Sequence, residues 1–150
     1  MRAIEDGPVP PALDEAEARA FLRVGAGADN AVLASLLASV SALAERFTGV
    51  TLIRRTISET LPVAPGCWQA LGRAPVNAIS AVEGLAIDGT TTALPITDYA
   101  IDIDARADGW VRVDRADGFG RLRISYTAGV AVDASGVPEG LRQGMLLLAA

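Results

Sequence analysis

The chain contains no histidine and no lysine, so all thirteen of its basic residues are arginine. Serine and cysteine nucleophiles need a histidine or lysine base, and arginine stays protonated and does not replace that base. Zinc sites need histidine or several cysteines, and Cys67 is the single cysteine of the sequence. The sequence therefore predicts no catalytic residues, no metal site, no cofactor and no enzymatic activity.

Other features that the sequence lacks limit the class of protein to which it can belong. One cysteine cannot form an internal disulfide, and the first twenty residues include no apolar run of the kind found in signal peptides. No apolar stretch approaches the roughly 20 residues that span a bilayer, so we expect no membrane partner. The net charge of −5 argues against a protein that grips nucleic acid, although an acidic wall would let DNA slide past.

Helical patterns occupy the first third of the chain, after a proline-rich, acidic arm at residues 1–12. Asp14 and the glutamate three residues later have capping-box spacing, which predicts a helix that buries Phe21 and ends near Gly25. Asp29 begins a second, longer helix that ends at Gly49. We expect its wide apolar face to consist of Val32, Leu33, Leu36, Leu37, Val40, Leu43, Ala44 and Phe47.

The periodicity then changes to that of strands, with Asp-Gly turns between the later ones, as in an antiparallel meander. The predicted fold is α+β and forms a single domain of residues 1–150. A small helical bundle is expected from residues 14–49 and 138–150, with an antiparallel β-sheet insertion across residues 51–127. The predicted strands are Thr51–Leu61, Ala78–Ile87, Tyr99–Ile103, Trp110–Val113 and Arg121–Thr127.

The last thirteen residues have the pattern of a third helix, with Pro138 suited to its first position. Leu141, Met145 and Leu148 follow at helical spacing, and no glycine, basic turn or polar tail ends the helix. A soluble protein rarely leaves such an apolar stripe uncovered. We expect either that the chain continues or that a neighbouring molecule covers the stripe.

Three patterns hint at ligand sites, and each has a simpler structural explanation. Residues 25–29 precede a helix as a phosphate loop does, but they follow a helix instead of a strand. Asp104 and its neighbouring aspartates suggest calcium, but Arg106 occupies a ligand position of such a loop. Arg121 and Arg123 share one strand face and form a small basic spot, which we expect to be solvated.

Several short motifs follow one another along the chain in a fixed order. They include Glu-Arg-Phe-Thr-Gly at residues 45–49, Asp-Tyr-Ala-Ile-Asp at 98–102, and Ile-Ser-Tyr-Thr-Ala-Gly at 124–129 before Val-Pro-Glu-Gly-Leu-Arg-Gln at 137–143. Through this ordered set the chain resembles the head–tail connector (adaptor) family of tailed bacteriophages and gene transfer agents. Gly140 and Gly144 depart from the pattern because they lower the helix propensity of the last helix.

The resemblance implies a structural protein in the neck of a virion or gene-transfer-agent particle, assembled in the bacterial cytoplasm. It implies a ring of roughly twelve copies that binds the portal protein, extends the DNA channel without specific DNA binding, and carries a stopper or tail protein. The C-terminal segment of such proteins commonly docks on the portal. The implied portal or subunit interface consists of Leu141, Arg142, Met145, Leu146 and Leu148.

Two other functions remain open at this point. A β-rich carbohydrate- or protein-binding module of a phage-like particle would need an exposed aromatic site, for which Trp68, Trp110 and the two tyrosines are available. A small hydrolase would need two carboxylates at a defined separation, and nothing in the sequence distinguishes one pair.

Overall fold

The computed structural model describes residues 2–23 and 30–150, so the predicted helix end near Gly25 and the predicted helix start at Asp29 lie outside this part of the chain. The chain divides into two compact units. The β unit comprises Met1–Gly7 and Arg55–Ala128, and the helical unit comprises Pro8–Arg54 and Gly129–Ala150. The described residues form helices and antiparallel sheets, so the α+β class is confirmed.

The helical unit contains α1 (Glu15–Leu22), α2 (Asn30–Thr48) and α3 (Glu139–Ala149). Asp14 caps α1 as predicted, since its side chain accepts a hydrogen bond from the amide of Ala16. The prediction for Phe21 is wrong: its side chain is exposed, and α1 buries Ala18 instead. Pro138 is the N-cap of α3 and lies one position before the helix, instead of occupying the first helical position.

The buried stripe of α2 is narrower than the predicted face. Leu33, Leu37, Val40 and Ala44 recur at spacings of four and three residues and line the core of the unit. A single row of α2 side chains suffices to contact the rest of this small core, so other members of the predicted face point away from it. Those exposed members are Val32, Leu43 and Phe47.

The end of the N-terminal arm belongs to this core instead of lying in solvent. Ala12 and Leu13 are buried, and the amide of Ala12 donates to Ser41 Oγ at 2.8 Å. The Ser41 hydroxyl in turn donates to the carbonyl of Leu37, which satisfies the one buried hydroxyl of α2. The arm is therefore fixed to the helix by a polar link within an apolar core.

Helix α2 is 19 residues long with a mean hydropathy of 1.4, which by length and composition alone suffices to cross a membrane. This corrects the expectation that no apolar stretch approaches that length. Core helices of soluble proteins have the same properties, and one row of α2 lies in the core. Because 28% of the stretch is buried, a large part of its apolar surface remains uncovered.

The β unit contains two antiparallel sheets. The larger has the order β1-β2-β8-β4-β5 and the smaller the order β3-β7-β6. Their strands are β1 (Ala3–Glu5), β2 (Arg55–Pro62), β3 (Trp68–Ala70), β4 (Val76–Leu85), β5 (Thr91–Ala93), β6 (Tyr99–Ile103), β7 (Gly109–Val113) and β8 (Arg121–Ala128).

The strand periodicity predicts β6, β7 and β8 closely, but a simple meander is wrong. Strand β8 pairs with β2 on one side and β4 on the other, and β7 pairs with β6 and β3. The predicted first strand starts at Arg55 instead of Thr51. The strands that the sequence does not predict have three residues each, too few for an alternating pattern: β1, β3 and β5.

The chain leaves the helical unit after Arg54 and returns at Gly129. The Arg54 amide donates to the carbonyl of Ala131 at 2.7 Å, and Ile53 and Ala131 form a parallel bridge. Gly129 has a φ of 152°, and a Cβ there would lie 2.3 Å from the Arg54 Cα and nitrogen atoms. This close approach explains the glycine of the Tyr-Thr-Ala-Gly motif.

Candidate functional site

Helices α2 and α3 leave an apolar groove between them, with a volume of about 390 Å³. Leu43 and Phe47 lie four residues apart on α2, so they form one row on the helix surface. Gly140, Gly144 and Leu148 form the facing row of α3 at the same spacing. The groove, called here the α2–α3 groove, is lined by Leu43, Ala44, Phe47, Thr48, Gly140, Leu141, Gly144, Met145 and Leu148.

The walls of the α2–α3 groove expose large apolar side chains. Phe47 is 91% exposed, Leu148 is 58% exposed and Leu43 is 51% exposed. These three residues border one concave surface, unlike single apolar residues scattered over a protein surface. The groove is therefore a candidate docking surface for another polypeptide.

The two glycines keep the floor of the groove open. A Cβ added at Gly140 or Gly144 would meet no atom within 4 Å, and neither residue has a positive φ. Glycine within a helix costs roughly 0.5–1 kcal/mol relative to alanine. The folding of the helical unit therefore gives no reason for either glycine, whereas close approach of a partner would.

Few charged groups border this surface, and they suit docking instead of catalysis. Arg46 is exposed on α2 and lies three residues after Leu43, so it neighbours one of the lining residues without lining the groove itself. Arg142 Nη1 lies 3.5 Å from a carboxylate oxygen of Glu17, which links α3 to α1. The Glu45 carboxylate accepts a hydrogen bond from the Leu52 amide and is thereby used within the fold.

The structure separates the five residues of the predicted interface. Met145 and Leu146 are 1% and 2% exposed and belong to the core of the helical unit. Leu148 is exposed, whereas Leu141 and Arg142 are half-buried. The interface itself stays a prediction, and its surface-accessible part is carried by these last three residues. Sequence reasoning missed the exposure of Leu43 and Phe47, since the same apolar spacing serves a core and a docking face.

The aspartates that suggested calcium organise a turn instead. Asp104 accepts hydrogen bonds from the amides of Arg106 and Asp108 and from Trp110 Nε1, at 2.8, 3.1 and 2.9 Å. The Trp110 hydrogen bond is the main reason that the Asp104 pKa is lowered. Among the described residues, no group of three or more aspartate, glutamate, cysteine or histidine side chains could hold a metal ion. The phosphate-loop pattern at residues 25–29 lies outside the described part.

The predicted basic spot on β8 is partly neutralised by the N-terminal strand. Arg123 lies 3.5 Å from a carboxylate oxygen of Glu5 on β1, a contact between residues far apart in sequence. Arg121 donates to the carbonyl of Ala86 at 3.4 Å. In the same unit Asp6 pairs with Arg73 at 2.9 Å. The spot is therefore a poor anion site.

Glu59 is a buried carboxylate that sequence reasoning missed. It lies between Ile57 and Leu61 on the buried face of β2. Its oxygens accept hydrogen bonds from Arg2 Nε at 2.6 Å, the Gly72 amide at 2.9 Å and the Tyr126 hydroxyl at 2.8 Å. Burial, followed by the hydrogen bond and charge of Glu59, raises the Tyr126 pKa above its ordinary value. The network attaches β1 to the sheet.

The aromatic residues do not form one exposed surface. Tyr126 is buried, and the Trp110 indole is bonded to Asp104. Trp68 is 44% exposed, and the Arg112 guanidinium lies 5.0 Å from its ring centre. This leaves a thin basis for a carbohydrate-binding site.

No family model and no curated protein sequence matches the chain, whereas several solved structures do. A chain from the neck of an empty gene transfer agent (GTA) particle, computed with C6 symmetry, is 30% identical with a TM-score of 0.79. That match covers 98% of this chain and 81% of the other.

Two further structures give similar values. A chain from the virion of a native GTA particle is 27% identical with a TM-score of 0.77, over 97% of this chain and 81% of that one. A chain from the neck of a native GTA particle, computed with C12 symmetry, is 29% identical with a TM-score of 0.74. This last match covers 98% of this chain and 80% of the other.

Proposed function

The chain belongs to the head–tail connector (adaptor) family of tailed bacteriophages and gene transfer agents, and on this premise we propose that it is a structural component of a particle neck. The observation that carries the proposal is the similarity to a GTA neck chain at 30% identity and a TM-score of 0.79 over 98% of this chain. The similarity covers nearly the whole described fold, so it is not limited to one motif.

The neck relatives support a ring. They come from necks computed with C6 and C12 symmetry, and closed rings of this kind use heterologous contacts between identical copies. We infer that this chain forms such a ring of six-fold or twelve-fold symmetry. A ring contact has to cover apolar surface on each copy, and the α2–α3 groove offers such a surface.

Within the neck, we propose that the ring binds the portal protein, extends the DNA channel and joins the head to a stopper or tail protein. Helix α3 supplies a portal or subunit contact through the exposed Leu148 and the half-buried Leu141 and Arg142, with Met145 and Leu146 holding the helix in place from the core. The net charge of −5 suits a conduit past which DNA moves without being held.

The related chains are structural parts of particles, and the chemistry of this chain agrees with a structural role. The buried Glu59 and Tyr126 are hydrogen-bonded to each other and to neighbours within the fold. The Asp104 carboxylate is likewise used in its turn. These groups stabilise loops and strands, and we assign no reaction to them.

Electron microscopy of the protein mixed with the portal protein of the same particle tests the proposal. We expect a ring stacked on the portal ring. Leu148→Asp places a charge on the exposed side of α3 and is expected to abolish the stacked complex. Ile96→Asp, at an 81% exposed site of the β unit, is the matched control and should assemble normally. Absence of any ring or complex with the unchanged protein would refute the proposed function.

A further inference from the structure

We propose that the α2–α3 groove receives the β4–β5 hairpin of a second copy of this chain, with Ile87 as the inserted side chain. The inference rests on the proposed ring. In a ring with rotation other than two-fold, a concave surface on one copy must meet a different surface on the next. The chain therefore has to offer a convex apolar feature that fits its own groove.

The tip of the β4–β5 hairpin is such a feature. The Gly89 amide donates to the Ala86 carbonyl at 3.0 Å, and the Ala86 amide donates to Thr90 at 2.9 Å, so Ile87 and Asp88 form the turn. Asp88 Oδ1 accepts from the amide and hydroxyl of Thr90 at 3.0 and 2.7 Å, which fixes the turn. Ile87 is fully exposed at 101%.

Nothing in the turn requires isoleucine at this position. Exposed turns favour proline, asparagine, aspartate, serine or glycine, each for a backbone reason. The hydrogen bonds of Ala86, Asp88 and Gly89 use the backbone and the Asp88 carboxylate, and none involves the Ile87 side chain. A large apolar side chain held rigidly at the end of a hairpin is suited to insertion into a partner.

The groove complements this tip in shape. Its volume of about 390 Å³ is bordered by Leu43, Phe47 and Leu148, which would surround an inserted aliphatic side chain. Gly140 and Gly144 leave open space on the floor, where any side chain would occupy the volume that the tip needs. The two glycines are thereby explained by the contact with the second copy.

Charge favours the same pairing. Asp88 adjoins Ile87 at the hairpin tip, and hydrogen bonds from Thr90 lower its pKa, so its carboxylate is ionised at neutral pH. Arg46 is exposed on α2, three residues from Leu43 of the groove lining. Opposite charges beside the apolar contact favour one orientation of the incoming hairpin and suppress others. An acidic tip and a basic residue near the groove within one sequence indicate a second copy as the occupant.

Site-directed cross-linking tests the contact in assembled rings, formed by the protein alone or on its portal protein. The free Cys67 is first removed by Cys67→Ser. Protein with Ile87→Cys and protein with Phe47→Cys are then mixed and oxidised. We expect a cross-linked dimer in the mixture, and a ladder of oligomers when both substitutions are in one chain. Ile96→Cys mixed with Phe47→Cys is the matched control and should give no heterodimer.

Alanine at the two glycines supplies a second measurement that does not depend on cysteine chemistry. Gly140→Ala and Gly144→Ala should each raise the thermal midpoint, because alanine favours the helix. Both should lower the fraction of protein in rings, with an association about tenfold weaker because the methyl groups fill the floor. A variant damaged in folding would instead lose thermal stability together with assembly.

The outcomes separate this contact from the proposed function. Rings that form without a cross-link between positions 87 and 47, and that tolerate both alanines, would overturn the hairpin contact and leave the neck function standing. Absence of rings under every condition would overturn both. A cross-link in the mixture together with ring loss on Gly144→Ala establishes the groove as the contact between copies.

Discussion

The two units of this chain differ in what they do with their buried polar groups and in how their exposed apolar side chains are arranged. In the β unit, strand β8 buries every second residue, and even the buried Glu59 has its oxygens hydrogen-bonded. In the helical unit, Phe47, Leu148 and Val132 remain 91%, 58% and 70% exposed. The β unit also exposes large apolar side chains, with Ile87 at 101% and Ile96 at 81%, whereas in the helical unit Leu43, Phe47 and Leu148 border one concave groove.

Covering the exposed apolar side chains of the α2–α3 groove would contribute substantial free energy to a complex. Burying one large apolar side chain stabilises a protein or a complex by roughly 1.5–3 kcal/mol. Phe47, Leu43 and Leu148 border one groove, so an occupant that covered them would gain several such contributions at once. The comparison teaches that the helical unit gathers its exposed apolar side chains on one groove, where an occupant could bury several of them together.

The largest effect is expected at the point where the chain re-enters the helical unit. Gly129→Ala would place a Cβ 2.3 Å from the Arg54 backbone at a φ of 152°, so the crossing must open. We expect a loss of about 3–5 kcal/mol in the free energy of unfolding, measured by urea denaturation.

Gly66→Ala is the matched control for this substitution, since Gly66 has a φ of 75° but open space around its Cβ position. It should cost about 1 kcal/mol, the conformational penalty without a clash. Equal effects of the two substitutions would show that close approach is not what Gly129 serves.

The second largest effect is expected for the buried hydrogen bonds of Glu59 in the β unit. Glu59→Ala would remove the acceptor of the Tyr126 hydroxyl, the Gly72 amide and the Arg2 guanidinium. Leaving buried donors unpaired is expected to cost about 2–4 kcal/mol. Phe47→Ser, at an exposed residue of the α2–α3 groove, provides the comparison, and an effect of Glu59→Ala as small as that of Phe47→Ser would show that the hydrogen bonds of Glu59 do not stabilise the β unit.

The Tyr126 hydroxyl makes the same unit sensitive to alkali. Burial and Glu59 favour the protonated phenol in the folded state, so the folded pKa lies above the unfolded value of about 10. Above that pH the unfolded chain binds fewer protons than the folded one, so stability falls as pH rises, and below it the contribution is fully present.

Tyr126→Phe should cost about 1 kcal/mol at neutral pH, the typical value of one hydrogen bond. It should also flatten the decline in the urea midpoint above about pH 10, where the unfolded tyrosine loses its proton while the folded one keeps it. A decline of unchanged steepness in the variant would assign alkaline sensitivity to another group.

The elements with long periodic patterns could be predicted from the sequence, and the rest could not for physical reasons. Helix α1 with its Asp14 cap, helix α2, and strands β6 to β8 follow from local spacing. Strand β1 has three residues, and it pairs with β2 more than fifty residues along the chain. Such pairings are non-local, and no window of sequence contains them.

The candidate site could be predicted from the sequence even less completely than the fold. Leu43 and Phe47 have the spacing of core residues and were predicted as such, because a helix with two apolar rows gives one broad pattern. The sequence did mark Gly140 and Gly144 as anomalous in a helix, and the open space above them gives that anomaly a meaning. A departure from helix propensity was therefore a better indicator of the surface than the apolar pattern.

The smallest effect is expected for Phe47→Ser on α2, a helix that contains both core residues and exposed apolar residues. Leu37 is 2% exposed in the core and Phe47 is 91% exposed, ten positions along the same α2. Leu37→Ala should lower the free energy of unfolding by about 2–5 kcal/mol. Phe47→Ser should change that of the unassembled protein by less than about 0.5 kcal/mol, since nothing buried is lost.

These two substitutions distinguish an apolar residue that binds a partner from an apolar residue that stabilises the fold. Urea denaturation of dilute, unassembled protein measures the contribution of each residue to the fold. The fraction of protein in rings at high concentration measures its contribution to binding a partner. Phe47→Ser should leave the urea midpoint in place and reduce ring formation, whereas Leu37→Ala should lower the midpoint. If Phe47→Ser destabilised the unassembled protein as strongly as Leu37→Ala, Phe47 would belong to the core, and the α2–α3 groove would lose the most exposed of its three large apolar side chains.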